Sequence, residues 1–301
     1  MAVLVTRDLV RAFSATCKTV FEDAFATQAG TWNILASIIP STLASEEYNW
    51  LGQLPIMREF KDERQIQALK EYGFTIKNRK FEATIGVQRD ALEDEQHGQV
   101  KMRVQSMAEA ASWHYDQLLF ELINGNGLAY DGLAFYAAAR GNLLTGAASA
   151  LSADTLASGI TTMRKQKIPD TNEPLDVRPT HLLVGPDLQF KAAQILNSAY
   201  YPEATAAGKP GSMAQNVMKG VLELVVSPRL ATATEWHIVD ASHAVRPFLI
   251  QQRKEVDFQS LDGAENETEV TFLRDEFLYG VRSRDAAGFG LPQYAYKSAG
   301  A

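Results

Sequence analysis

The chain has 301 residues, enough for one large domain or two modest ones. Its apolar share of 46% and charged share of 22% are ordinary for a folded protein. A net charge of −7 argues against a protein whose main work is gripping nucleic acid. The single cysteine, Cys17, rules out an intrachain disulfide, and no apolar run reaches the roughly 18 residues a membrane helix needs.

Met1-Ala2-Val3-Leu4-Val5-Thr6-Arg7 lacks the regions of a signal peptide, which makes a cytosolic setting the simple expectation. Without a secretory signal, Asn266-Glu267-Thr268 reads as a chance match to a glycosylation acceptor. Leu9, Phe13, Cys17, Val20, Phe21, Ala24 and Phe25 recur at helical spacing and predict an N-terminal amphipathic helix. Residues 30–45 are irregular and apolar, with Trp32, Ile34, Ile38, Ile39 and Pro40, and read as an arm that needs a surface to lie on.

From Glu46 to Val87 the pattern is that of an extended excursion. It opens with Tyr48-Asn49-Trp50-Leu51-Gly52-Gln53-Leu54-Pro55, crosses a charged middle, and returns along Phe74–Val87 with strand alternation. Phe74 and Ile76 share one parity, and Phe81, Ala83, Ile85 and Val87 share the other. The apolar face therefore switches sides, which a bulge or twist between Asn78 and Lys80 would allow. A two-stranded ribbon apolar on both sides is marginal alone, and a neighbouring subunit is the expected source of cover.

Val100, Val104, Met107, Ala108, Ala111, Tyr115, Leu118 and Leu122 predict one helix over Gln99–Ile123, about 37 Å long at 1.5 Å per residue, stopped by Asn124-Gly125-Asn126-Gly127. Glu93, Asp94 and Glu95 lie upstream, where a helix start favours negative charge. Tyr130-Asp131-Gly132-Leu133 reads as a turn and residues 141–150 as a flexible junction of small residues. Helices are expected over Asp154–Gln166, with Ser152 as cap, and from Pro186 to about Asn197. Strands are expected at Thr180–Val184, Val221–Val226 and Glu235–Val239, and residues 198–214 form a long loop. The last sixty residues read as strands at Phe248–Ile250, Val256–Leu261, Glu269–Leu273 and Phe277–Val281, with Gly288-Phe289-Gly290 as a turn.

Catalytic and metal signals are weak. His97, His114, His181, His237 and His243 include no pair with the spacing of a helical metal site, and no metal, cofactor or catalytic residue is assigned. Asp240-Ala241-Ser242-His243 groups acid, hydroxyl and imidazole. Adjacent residues rarely reach triad geometry, so a turn with capping hydroxyls is the preferred reading. Lys77 with Arg79-Lys80, and Arg282 with Arg284, form small basic clusters that suit either a solvated edge or a salt-dependent contact.

Three blocks carry a family resemblance: Tyr48–Pro55 with Arg58-Glu59; Phe74–Val87 continuing to Glu93-Asp94; and Arg274-Asp275-Glu276-Phe277-Leu278-Tyr279-Gly280-Val281-Arg282. Tyr130-Asp131-Gly132 is a shorter echo, after which Leu133-Ala134-Phe135 departs from the polar-Pro-aromatic pattern. The chain resembles the major head (capsid) protein of Mu-like tailed bacteriophages, of the Hong Kong 97-type capsid fold. The resemblance implies an α+β fold with an N-terminal arm (1–45) and an extended β-hairpin loop (46–88). It implies a peripheral domain with a long spine helix (89–146), an axial α/β domain (147–245), and C-terminal strands returning to the peripheral domain (246–301). It implies a non-enzymatic subunit of the virion, assembled in the bacterial host cytoplasm. Pentamers and hexamers would close an icosahedral shell around double-stranded DNA held without sequence specificity. Portal and scaffold proteins would be partners, no membrane is involved, and decoration proteins are left open. Trp50, Phe74, Ile76, Arg79, Phe81, Ile85, Tyr200 and Tyr201 are the expected subunit-interface residues. Two alternatives stay open: an encapsulin-type compartment, and a soluble hydrolase using His243 or His237.

Overall fold

The computed structural model describes residues 6–27, 30–48, 74–93, 97–168, 173–202, 213–262 and 273–300. The N-terminal stripe forms helix α1 (Arg7–Thr27), which buries Val10, Phe13, Cys17 and Phe21 at three- and four-residue spacing. Residues 30–45 are not the irregular arm their composition suggests. They form a short helix α2 (Trp32–Leu35) and a strand β1 (Ala36–Pro40), followed by β2 (Ser45–Glu47). Strand β1 pairs in parallel with residues 248–252, a partner about 200 positions away that no local pattern reveals.

The return limb of the excursion breaks at Asn78 into β3 (Thr75–Lys77) and β4 (Arg79–Gln88), at the place where the apolar parity changes. Strand β4 is not half of a free ribbon. It is the outer strand of a four-stranded sheet whose other members are β1, β11 (Phe248–Leu261) and β12 (Glu276–Phe289), in the order β1-β11-β12-β4. The chain itself covers part of this strand, burying Val87 and half-burying Phe81 and Ile85. Val87, Phe277, Tyr279 and Val281 are buried with α1 residues and with Val100, Val104 and Met107 of α4 (His97–Ser112) in one apolar cluster.

After α3 (Arg89–Glu93), the expected single spine helix is two segments, α4 and α5 (His114–Gly125), meeting at Trp113. The Ser112 hydroxyl donates to the Glu109 carbonyl at 2.7 Å, the kind of back-bond that bends helices. Asn126, at φ +42°, ends α5 as a left-handed cap.

The second sheet has five strands. They are β5 (Leu143–Leu144), β6 (His181–Val184), β9 (Glu223–Val226), β10 (Trp236–Val239) and β13 (Ala295–Ser298), in the order β5-β13-β10-β6-β9. Helix α6 (Ala153–Arg164) begins in a capping box in which Ser152 and Thr155 exchange hydrogen bonds. Helix α7 (Gln189–Asn197) forms part of the crossover between the parallel strands β6 and β9. A small pair, β7 (Tyr200–Pro202) and β8 (Met213–Gln215), brackets residues 203–212.

Four readings change in this half. Residues 141–150 are no flexible junction: Asn142 and Ser149 are buried, and the Ser149 carbonyl accepts from Trp236 Nε1 at 3.0 Å and from the Ser298 hydroxyl at 2.6 Å. Gly288 and Phe289 end β12 instead of turning. The two strands expected between 248 and 261 are one, irregular between Gln252 and Asp257. Strand β13 pairs with β10 and β5, so residues 295–298 join the five-stranded sheet and not the one built by the rest of 246–301. Of the strand expected at Glu269–Leu273, all but Leu273 lies outside the described residues.

Candidate subunit-contact surface

The excursion is rooted in a buried polar knot. Its limbs meet at β2 and β3, and the Tyr48 amide donates to the Phe74 carbonyl at 2.8 Å. Beneath them the Tyr48 hydroxyl donates to Gln251 Oε1 at 2.8 Å. Gln251 Nε2 donates to Asn78 Oδ1 at 2.8 Å and to the Ile76 carbonyl at 3.2 Å. Asn78 Nδ2 donates in turn to the Ser41 hydroxyl and the Leu43 carbonyl, each at 2.9 Å. Amide N–H groups of Leu43 and Thr42, with the Ser41 hydroxyl, converge on Glu46 and hold its carboxyl below the usual range. Burial pushes the Tyr48 phenol up to about 12, so it is a donor at neutral pH. A buried polar set this completely paired fixes one geometry. Gln251 was not singled out in sequence; it directly follows the apolar run Phe248–Ile250 and continues the same buried strand.

Of the eight expected contact residues, Trp50 and the side chain of Tyr201 lie outside the described residues. Ile76 keeps only 4% of its surface exposed and fills the space over Gly288, where a Cβ would stand 2.1 Å from its Cδ1; it serves its own chain. Phe74, Phe81 and Ile85 are half-buried against the chain's own core. Phe81 lies 4.2 Å from the His114 ring, with the Arg79 guanidinium 5.1 Å above it and Arg79 3.6 Å from Glu121. Tyr200 is 61% exposed.

Large apolar side chains that sequence reading passed over stand open instead: Phe190 at 81%, Val217 at 84% and Met102 at 67% exposure. Phe190 is legible afterwards, because it lies off the stripe of Ala192, Ile195 and Leu196 that α7 buries. Met102 borders an open groove of about 600 Å³ between β4 and α4, lined also by Ala83, Ile85, Met107 and Ala110.

The titratable groups are used structurally. The Ser242 hydroxyl donates to Asp240 Oδ1 at 2.6 Å, as does its amide at 2.9 Å, while His243 stacks on Tyr294 at 4.4 Å. That is a capping turn: the hydroxyl is spent on Asp240, whose other oxygen lies 3.4 Å from His243 Nε2. His114 meets the buried Asp285 at 2.9 Å. His237, fully buried, contacts the Tyr136 hydroxyl at 3.1 Å and lies 3.8 Å from Glu235, whose other oxygen holds Lys297 at 2.6 Å. Burial holds His237 below the ordinary imidazole range. Burial pushes Glu235 up, but the nearby His237 ring and its close ion pair with Lys297 outweigh that and bring it to about 2. Among the described residues no three His, Cys, Asp or Glu side chains form a metal cluster.

The family profile described as Mu-like prophage major head subunit gpT matches residues 10–143, 141–230 and 231–301. A Mu-like prophage FluMu major head subunit of Haemophilus influenzae is 24% identical over 294 residues, covering 97% of this chain and 73% of that one. The major capsid protein of Escherichia phage Mu is 22% identical over 295 residues, covering 97% and 74%. Among solved structures, the procapsid of bacteriophage JBD30 superposes with a TM-score of 0.59 at 27% identity, covering 98% of this chain and 76% of that one. A virus-like particle of Pyrococcus furiosus shares the fold at a TM-score of 0.54 and 11% identity, covering 94% and 98%.

Proposed function

Because the chain belongs to the family of Mu-like prophage major head subunits, we propose that it is the repeating wall unit of a phage head, a major capsid protein that closes a shell from copies of itself. The observation that carries this reading is the match to that family across residues 10–301. The geometry supports it. The molecule is built on two larger sheets with no catalytic constellation among its described residues, and it leaves Phe190, Tyr200 and Val217 open within the stretch 147–245 read as the axial domain.

In detail, pentamers and hexamers close an icosahedral head around double-stranded DNA held without sequence specificity. The subunit works with portal and scaffold proteins, decoration proteins are an open addition, and it performs no catalysis. Its mechanism is repeated moderate burial. Heterologous contacts between identical units close rings when the rotation closes, and each contact needs exposed apolar anchors. Phe190→Asp and Val217→Asp leave the subunit core untouched and are expected to give folded subunits that no longer assemble.

Electron microscopy of the purified, expressed chain tests the reading, with closed shells as the expected result. One discrete small oligomer would overturn it. Shells filled with a cellular enzyme in place of DNA would move the function to a cargo compartment.

A further inference from the structure

Strands β4, β12 and the outer half of β11 bury one face against α1 and α4 and, among the described residues, leave Lys80, Glu82, Lys254, Asp257 and Arg282 exposed on the other. On that other face the register sets Lys80 opposite Arg284 and Arg284 opposite Lys254, so three cations stand side by side across three strands. Strand spacing makes that row about 10 Å wide. Like charges directly opposite in a sheet are destabilising. None of the three has a carboxylate within ion-pair distance among the described residues. Arg284 Nε is enclosed, and no described group accepts from it. The next row on the same face sets Arg282 between Glu82 and Asp257, whose carboxylates accept from Thr84 and Gln259.

We propose that this row, Lys80–Arg284–Lys254, is a docking strip for carboxylates of a second copy of the chain. The alternation of rows decides the occupant. A nucleic-acid backbone carries a negative charge about every 1.7 Å and would meet Glu82 and Asp257, roughly 7 Å away at two residues of strand rise, as well as the cations. A protein segment with a few carboxylates matches the cationic row and avoids the acidic one. The chain itself holds the surplus, 36 Asp and Glu against 29 Lys and Arg, including the run Glu93-Asp94-Glu95. The inference rests on the head-subunit reading and names one contact that reading needs.

The test compares the wild-type chain with Lys80→Glu/Arg284→Glu and with the milder Lys80→Gln/Arg284→Gln. Circular dichroism and thermal melts check the fold, sedimentation measures the assembled fraction, and duplex DNA is titrated in parallel. The expected result is a folded variant whose assembled fraction falls at least tenfold at moderate salt, and wild-type assembly that weakens as salt rises. Unchanged DNA affinity is expected alongside. If the charge-reversed chain does not fold, the glutamine variant is read in its place, with the same loss expected. Wild-type shells together with normally assembling variants overturn the inference while leaving the head-subunit reading intact. Variants that assemble but lose DNA affinity overturn it in favour of phosphate contact. A wild-type chain that forms no shell at any salt defeats the head-subunit reading itself.

Discussion

The two sheets use the same kind of strand for opposite ends. In the five-stranded sheet, Leu182, Leu183 and Val184 of β6 and all four residues of β10 are buried, and Trp236 is enclosed with its indole N–H satisfied. Strands covered on both faces are spent entirely on their own molecule. The outer half of the four-stranded sheet is covered once, by α1 and α4, and its other face carries Lys80, Glu82, Arg282, Arg284, Lys254 and Asp257. The difference separates a part that holds the subunit together from a part still available to other molecules.

Three measurements press on that contrast. The largest effect belongs to the closed sheet: Trp236→Ala empties a fully buried site and is expected to cost about 3–5 kcal/mol in a denaturant melt of the subunit. A loss below about 1 kcal/mol would mean that this sheet is not the stable half. Next comes the root of the excursion. Gln251→Leu strips partners from the buried Asn78 and Tyr48 side chains and should cost about 2 kcal/mol. An unchanged melt would mean that water replaces the lost contacts.

The smallest effect is acid sensitivity within the closed sheet. His237 and Glu235 both titrate below their unfolded values when folded. The unfolded chain therefore binds more protons in acid, and stability is lost as pH falls. The His237 contribution is full above about pH 6.5 and drains as pH falls below it. The Glu235 contribution drains between about 4.5 and about 2. Melting temperatures should decline for the wild type as pH falls from about 7.5 to about 4, and His237→Gln should flatten the decline that sets in below about 6.5. Parallel curves for the two chains would remove His237 from the account.

What could be read in the sequence was local. The α1 stripe, the Ser152 cap, the turn at Asp131-Gly132, the left-handed stop at Asn126 and the parity change at Asn78 each announce themselves within a few residues. What could not be read was long-range. The strand Ala36–Pro40 exists because of Phe248–Gln252. Residues 141–150 looked loose because small residues resemble a linker, until Trp236 and Ser298 fix the Ser149 carbonyl. Gly288 looked like a turn because its reason for lacking a side chain is Ile76, far away in the chain. Apolar alternation picked out Phe81 and Ile85, and the pairing of β4 with β12 shows how much of each the chain keeps for itself, while Ile76 packs over Gly288. The family resemblance, carried by long motif blocks, suffered none of this, because it needs no knowledge of which strand meets which.

One detail of the excursion bears on its length. Tyr48 and Phe74 stand one hydrogen bond apart, over a knot that draws on Ser41, Leu43, Ile76, Asn78 and Gln251. The two ends of residues 49–73 therefore meet at a single doorway. Insertions or deletions inside that stretch cost little closure entropy and leave every strand register elsewhere as it was. A change of length between Tyr48 and Phe74 thus leaves the body behind the doorway as it is.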